Sequence, residues 1–149
     1  MKSKRSIAFL ALILTLMLVS VAMVQAKKPL RFEVVGWKIS DGWGATITSG
    51  PFEGMTMYWY QPIVESKGSM VYFFELWWIE DGDGNEILRG FDEGVTRIKN
   101  GKFTGNGKVL DAIPEWMHLI GLKEQCEGTV DFVTPDPMTW TFTGTIQIN

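Results

Sequence analysis

Apolar and polar residues alternate along the last segment of the chain, from residue 138 to residue 149. Met138, Trp140 and Phe142 begin a row of mostly apolar positions, and threonines occupy most of the positions between them. A period of two residues is the pattern of an antiparallel strand with one buried face and one wet face. We therefore predict a strand over this segment, with a threonine-rich outer surface.

The segment 71–80 differs, because both of its faces are apolar. Phe73, Glu75 and Trp77 share one face, and the residues between them are aromatic or aliphatic as well. Such a strand is covered on both sides, by a core on one side and by a loop, a second subunit or a ligand on the other. The run 55–61 repeats the pattern, so we expect the two runs to be neighbouring strands.

Clusters of Gly, Asn, Asp, Ser and Pro divide the rest of the chain at short intervals. They predict turns near 40–42, 49–51, 65–69, 81–85, 99–102, 113–114 and 134–137. About eight short strands and no clear helix favour an all-β fold, either a closed antiparallel up-and-down barrel or a small sandwich. Barrel closure is the interpretation that we adopt, because it removes the edges that apolar strands would otherwise expose.

The first 26 residues predict a secretory signal peptide. Lys2, Lys4 and Arg5 precede an apolar run over 7–24, which ends in a sequence suited to cleavage. The alternative is an uncleaved membrane anchor over the same run, whose length is at the lower limit for spanning a bilayer. Cleavage would leave residues 27–149 as one β-barrel domain outside the cytoplasm.

Charge and composition exclude several classes of protein. The leader holds three of the 14 basic residues and none of the 17 acidic ones, so residues 27–149 carry a net charge of −6. Lys27-Lys28 is their only basic doublet, which does not suit a nucleic-acid partner. One Cys and one His cannot complete a classical zinc site unless carboxylates take most of the positions. Cys126 has no partner for a disulfide within the chain, which leaves pairing between chains of a homo-oligomer open.

Three glycine-containing stretches resemble strands of a known family. The sequences GKFTGNGKV at 101–109, CEGTV at 126–130 and TFTGTI at 141–146 resemble the F-x-G-x-G and closing F-x-G-x-I strands of calycin-like barrels related to allene oxide cyclase and dirigent proteins. The resemblance covers about the C-terminal third of the chain. It implies an eight-stranded barrel with an apolar cavity, and no stretch of this chain matches the substrate-binding residues of the plant enzymes.

The loop after the segment 71–80 places oxygen-bearing side chains at alternating positions. Asp81, Asp83 and Asn85 are the candidate ligands of a calcium ion, which prefers oxygen donors. Glu86 stands where a calcium loop requires Gly, and Asp92 stands where it requires the longer Glu. The alternative interpretation is a glycine-rich hairpin turn, which the Asp-Gly chemistry alone explains, with no cofactor bound.

Glu75 and His118 are the candidates for acid–base chemistry. Glu75 lies between Phe73 and Trp77, and a buried carboxylate needs a cation or a raised pKa. If 115–124 forms a strand, His118 lies on its apolar face, and the pair could transfer protons in a cyclase or isomerase. The alternative is structural: Glu75 at a wet rim or paired with an arginine, and His118 satisfied by ordinary hydrogen bonds.

The aromatic side chains allow three interpretations: they fill the core, line a cavity, or lie exposed as platforms for sugar rings. The residues that we expect to line a cavity are Trp59, Phe73, Trp77, Trp116 and Trp140. The residues that we consider for an exposed platform, in a carbohydrate-binding or cell-surface module, are Tyr58, Trp59 and Tyr60. We adopt the cavity, and therefore a secreted barrel that binds a small apolar or amphipathic ligand.

Overall fold

The computed structural model describes residues 28–39, 42–131 and 139–146. The predicted signal peptide and the predicted turn over 134–137 lie outside these residues, as does most of the turn over 40–42. The strands are β1 (Leu30–Ile39), β2 (Gly42–Ser49), β3 (Thr56–Lys67), β4 (Met70–Glu80), β5 (Glu86–Arg97), β6 (Lys102–Ala112), β7 (Lys123–Val130) and β8 (Thr139–Ile146). One 3₁₀ helix, Pro114–Leu119, joins β6 to β7. Across the described part of the chain, every helix is too short or too polar to cross a bilayer.

The strands form one curled antiparallel sheet. Each strand pairs with the next along the chain, and β8 pairs with β1 as well as with β7. In the β1–β8 ladder, Leu30 lies opposite Ile146 and Trp37 lies opposite Thr139. The prediction of an all-β antiparallel fold with almost no helix is confirmed.

The inner face of the sheet carries large rings above glycines. Trp77 of β4 packs over Gly90 of β5, where an added Cβ would lie 2.2 Å from the indole ring. Phe32 of β1 packs in the same way over Gly144 of β8, again at 2.2 Å. A side chain at either glycine would collide with a buried ring, so these glycines make room for the aromatic core.

The segment 71–80 forms β4, as predicted, but the described part of the chain covers only one of its two apolar faces. Phe73, Glu75, Trp77 and Ile79 are buried on the inner face, and the residues between them are half-buried or exposed on the outer face. The neighbouring strand is β3, as predicted, with Trp59 opposite Trp77 in register. The predicted last strand is present over Thr139–Ile146, and residues 147–149 lie outside the described part of the chain.

The strand over 115–124, which placing His118 on an apolar face required, does not form. The 3₁₀ helix takes up the first part of it, and β7 begins only at Lys123. Pro114 stands at the start of this helix, where its missing N–H removes no hydrogen bond. Trp116 packs against Phe52 with their ring centroids 4.9 Å apart, and Leu119 is fully buried, so tertiary packing covers this end of the sheet.

Candidate functional site

Three carboxylic acids and a thiol lie on the inner face of neighbouring strands. Glu75 of β4 is opposite Asp92 of β5, and Asp92 is opposite Gly107 of β6. Gly107 is in turn opposite Glu124 of β7, and Cys126 follows two residues later on the same face. Strand register therefore brings together Glu75, Asp92, Glu124 and Cys126, which we call the acidic cluster.

All four side chains of the acidic cluster are buried. Their exposed fractions are 8% for Glu75, 1% for Asp92, 2% for Glu124 and 5% for Cys126. The Cys126 thiol donates a hydrogen bond to Asp92 Oδ2 at 3.5 Å. Gln61 of β3 donates through Nε2 to Glu75 Oε2 at 2.8 Å.

Two glycines of β6 allow β5 and β7 to contribute side chains to the same space. A Cβ added to Gly105 would lie 2.7 Å from Cys126 Sγ and 3.1 Å from Asp92 Oδ1. A Cβ added to Gly107 would lie 1.7 Å from the carbonyl oxygen of Phe91. The F-T-G-N-G sequence at 103–107 thus leaves the inner face of β6 without a side chain at the level of the cluster.

Burial raises the pKa values of the acidic cluster. It raises the pKa of Glu75 well above the ordinary value, and the nearby charge of Asp92 raises it further. The pKa of Glu124 is raised for the same two reasons in the same order. Burial also raises the pKa of Asp92, to about 6, against hydrogen bonds that favour its ionised form. The pKa of the Cys126 thiol is raised by burial and then by the charge of Asp92.

Two oxygens of the cluster have no hydrogen-bond partner among the described residues. These atoms are Asp92 Oδ1 and Glu124 Oε2. The indole Nε1 of Trp77 is likewise buried without a hydrogen-bond partner in this part of the chain. A buried polar atom without a partner costs about 1–3 kcal/mol, so native proteins contain few of them. The inner face therefore has unused capacity to accept and to donate hydrogen bonds.

Most of the residues predicted to line a cavity lie on the inner face. Trp59, Phe73 and Trp77 are buried there, with exposed fractions of 3%, 7% and 1%. Trp116 is half-buried at the end of the sheet, on the 3₁₀ helix. The backbone of Trp140 lies in β8, and its side chain is outside the described part of the structure.

The structure does not bring Glu75 and His118 together. His118 lies exposed on the 3₁₀ helix, with its ring centroid 6.0 Å from that of Trp116. Glu75 instead contacts Gln61 and interacts with Asp92. Gln61, Asp92 and Glu124 were not predicted as neighbours of Glu75. The alternation of buried positions along β5 could have indicated Asp92, but only strand register shows that it meets Glu75.

The loop after β4 uses its first carboxylate to hold its own backbone. Asp81 Oδ1 accepts hydrogen bonds from the backbone N–H groups of Asp83 and Asn85, each at 2.9 Å. The Asn85 side chain also donates to Asp81, and it is the main cause that lowers the pKa of Asp81. This geometry favours the hairpin turn, and calcium binding by Asp81, Asp83 and Asn85 stays a prediction.

The outer face of β3 and β4 carries half-buried and exposed aromatic side chains. Tyr58 and Trp78 stack there with centroids 5.6 Å apart, and Tyr60 and Tyr72 are 49% and 44% exposed. Trp59, which we considered for such a platform, faces the interior instead. We call Tyr58, Tyr60, Tyr72 and Trp78 the outer aromatic face.

Polar grooves lie on the outside of β6 and β7. The larger groove has a volume of about 460 Å³, and its lining includes Arg31, Asn106 and Gln125. It also touches Gly105 and Cys126, whose neighbourhood on the inner face is the acidic cluster.

Comparison of the chain with protein-family models, with curated proteins and with solved structures finds no match. The resemblance to barrels related to allene oxide cyclase and dirigent proteins therefore stays a prediction.

Proposed function

We propose that the protein is a secreted β-barrel that binds a small amphipathic ligand in its interior. In this proposal residues 1–26 are removed as a signal peptide, and the curled sheet acts as a closed up-and-down barrel of eight strands. The pairing of β8 with β1 supports closure, because a sheet whose last strand pairs with its first leaves no open edge. The calycin-like resemblance of the C-terminal third agrees with this architecture.

The unpartnered polar atoms on the inner face are the observation that carries the proposal. Trp77 Nε1 can donate a hydrogen bond, and Asp92 Oδ1 and Glu124 Oε2 can accept one. The rings of Trp59 and Phe73 belong to the same buried core as Trp77. A ligand with an apolar body and a polar end that both donates and accepts would satisfy the atoms and contact the rings.

Acid–base catalysis has less support than binding. The cyclase or isomerase alternative required Glu75 and His118 to converge in one cavity. Glu75 is buried beside Gln61, whereas His118 is exposed on the 3₁₀ helix. The geometry therefore favours a binding protein.

Native mass spectrometry of the full-length gene product, purified from the cells that secrete it, tests the proposal. We expect a protein mass that begins at Lys27, together with a retained small molecule that is released on unfolding. The same spectrum reports whether the protein is a homo-oligomer. A bare protein mass, combined with failure to bind the probe described next, would contradict the proposal.

Titration with N-phenyl-1-naphthylamine, an apolar probe with one N–H group, provides a second test. We expect its fluorescence to rise with one site per barrel, and we expect Trp77→Phe to weaken binding about tenfold, because a smaller ring replaces the indole that the apolar probe contacts. Trp78→Phe is the matched control, because Trp78 is the next residue of β4 and lies on the outer face. Equal effects of the two substitutions would contradict an interior site.

The outer aromatic face supports a second candidate function, carbohydrate binding at the surface. Stacked, exposed rings on a sheet offer flat apolar surfaces of the kind that sugar rings cover. Retention of the protein on insoluble polysaccharide, and its loss in Tyr60→Ala, would support this candidate. Retention that Tyr60→Ala leaves unchanged would contradict it.

A further inference from the structure

We propose that Asp92, Glu124 and Cys126 form a zinc site on the inner face of the sheet. Each side chain offers one ligand atom, and the three atoms lie within 4.8 Å of one another. With Zn–S and Zn–O distances of about 2.3 Å and 2.0–2.2 Å, tetrahedral ligand atoms lie about 3.5 Å apart, so zinc binding would draw these three side chains together. Zinc would take up Asp92 Oδ1 and Glu124 Oε2, so the polar end of the proposed ligand would then meet the metal and Trp77 Nε1.

Unpartnered atoms in the same group distinguish it from an ordinary cluster of acids. Asp92 Oδ1 and Glu124 Oε2 are buried without a hydrogen-bond partner in the described part of the chain. Their residues are 1% and 2% exposed, so bulk water does not reach the carboxyl groups freely. A bound cation satisfies both oxygens and offsets the cost of burying the carboxylates.

The chemistry of the donor atoms selects the metal. A thiolate is a poor ligand for calcium and magnesium, which prefer oxygen, whereas zinc accepts thiolate and carboxylate together. The sequence allowed a zinc site only if carboxylates take most of the positions, and Asp92 and Glu124 take two of them. Water would take the fourth position, since Glu75 is not part of this group of ligand atoms and is held by Gln61.

The binding step balances. A Zn–S bond forms as the thiol of Cys126 loses its proton to solvent, and any proton on the Glu124 carboxyl leaves in the same way. No redox change or further reactant is needed.

Cobalt replacement provides the test, because cobalt bound to a thiolate has a near-ultraviolet charge-transfer band. Cys126 is the only cysteine of the chain, so this band can arise from no other residue. We expect protein stripped with a chelator to bind one cobalt ion with the band present, and zinc to displace it. Cys126→Ser is expected to abolish the band, and Glu124→Gln is expected to weaken zinc binding about tenfold or more.

Glu127→Gln is the matched control, since Glu127 is the exposed neighbour of Cys126 on β7. His118→Ala controls for binding at the single imidazole, and circular dichroism confirms that each variant folds. We expect both controls to bind zinc like the unmodified protein. The proposal is overturned if that protein shows no band, or if zinc affinity is lost in His118→Ala and kept in Glu124→Gln. If Cys126→Ser does not fold, Glu124→Gln decides the question alone.

Discussion

Replacing Asp92 by Asn is expected to flatten the dependence of stability on pH. Asp92 faces Glu75 of β4, the backbone of Gly105 on β6, and Glu124 and Cys126 of β7. Its pKa is raised to about 6 by burial, so the folded state holds a proton that the unfolded chain releases at lower pH. Stability from this group is therefore fully present below the unfolded pKa and is lost as pH rises through 6.

The magnitude follows from the two pKa values. The difference between about 3.9 in the unfolded chain and about 6 in the fold corresponds to about 3 kcal/mol. About 2 kcal/mol of this stability is lost as the pH rises from 4.5 to 8. Glu75 and Glu124 act in the same direction, because their pKa values are raised as well. The charge of Asp92 contributes to the raised pKa values of Glu75 and Glu124. Asn at position 92 therefore also reduces the pH dependence that these two glutamates add to the stability.

Urea unfolding followed by tryptophan fluorescence at pH 4.5 and pH 8, with a chelator present, measures the effect. We expect the free energy of unfolding of the unmodified protein to be at least about 2 kcal/mol lower at pH 8 than at pH 4.5. Asp92→Asn should reduce this difference by about 2 kcal/mol or more. Asp83→Asn is the control, because Asp83 is exposed in the loop after β4. The reasoning is refuted if Asp92→Asn and Asp83→Asn keep the same pH dependence.

Three further predictions concern packing and the loop after β4. Gly144→Ala should lower the free energy of unfolding by about 1–3 kcal/mol in urea denaturation, because the added Cβ would lie 2.2 Å from the Phe32 ring. Gly82→Ala is the control and should change the free energy of unfolding far less, because its Cβ would meet no atom within 4 Å. Leu119→Ala should lower the free energy of unfolding by about 2–5 kcal/mol in the same assay, because Leu119 is fully buried. Met117→Ala, on the exposed side of the 3₁₀ helix, should lower it by less than about 0.5 kcal/mol. Equal effects of the two substitutions would contradict the docking of this helix. Asp81→Ala should destabilise the protein to the same extent with and without calcium, because two backbone N–H groups lose their acceptor, and a loss seen only with calcium would favour the ion site.

The alternation of side chains along the sequence predicted a strand correctly where it runs without interruption, as in β4. In β4 the same alternation that placed Phe73, Glu75 and Trp77 on one face also predicted that this face is buried. The Asp-Gly chemistry of 81–85 predicted the turn between β4 and β5. These features are local, because a turn or an alternating strand depends on residues that are close in the sequence.

The acidic cluster depends on register and was not predicted. The β4–β5 ladder shifts between Ile79 and Glu80, and the β5–β6 ladder shifts between Arg89 and Gly90. Each such irregularity changes which residues face each other, and nothing in the sequence marks its position. Glu75 was therefore recognised as a buried acid, but its neighbours Asp92 and Glu124 were not.

In the 3₁₀ helix, by contrast, the local sequence pattern indicated the wrong conformation. Trp116, His118 and Ile120 have strand spacing, but this segment does not pair with any described strand. Packing of Trp116 on Phe52 and burial of Leu119 decide its conformation instead. Contacts between residues so far apart in the chain outweigh a short alternating pattern.

Carbon-13 NMR titration of the side-chain carboxyl groups tests the central claim most directly, since it follows each of the 17 acidic residues of the chain. The account predicts two glutamate signals, from Glu75 and Glu124, that remain protonated well above the ordinary range, and one aspartate signal, from Asp92, that titrates near pH 6. A spectrum in which all carboxyl groups ionise below about pH 5 would contradict it, because no group would then be buried in an acidic cluster.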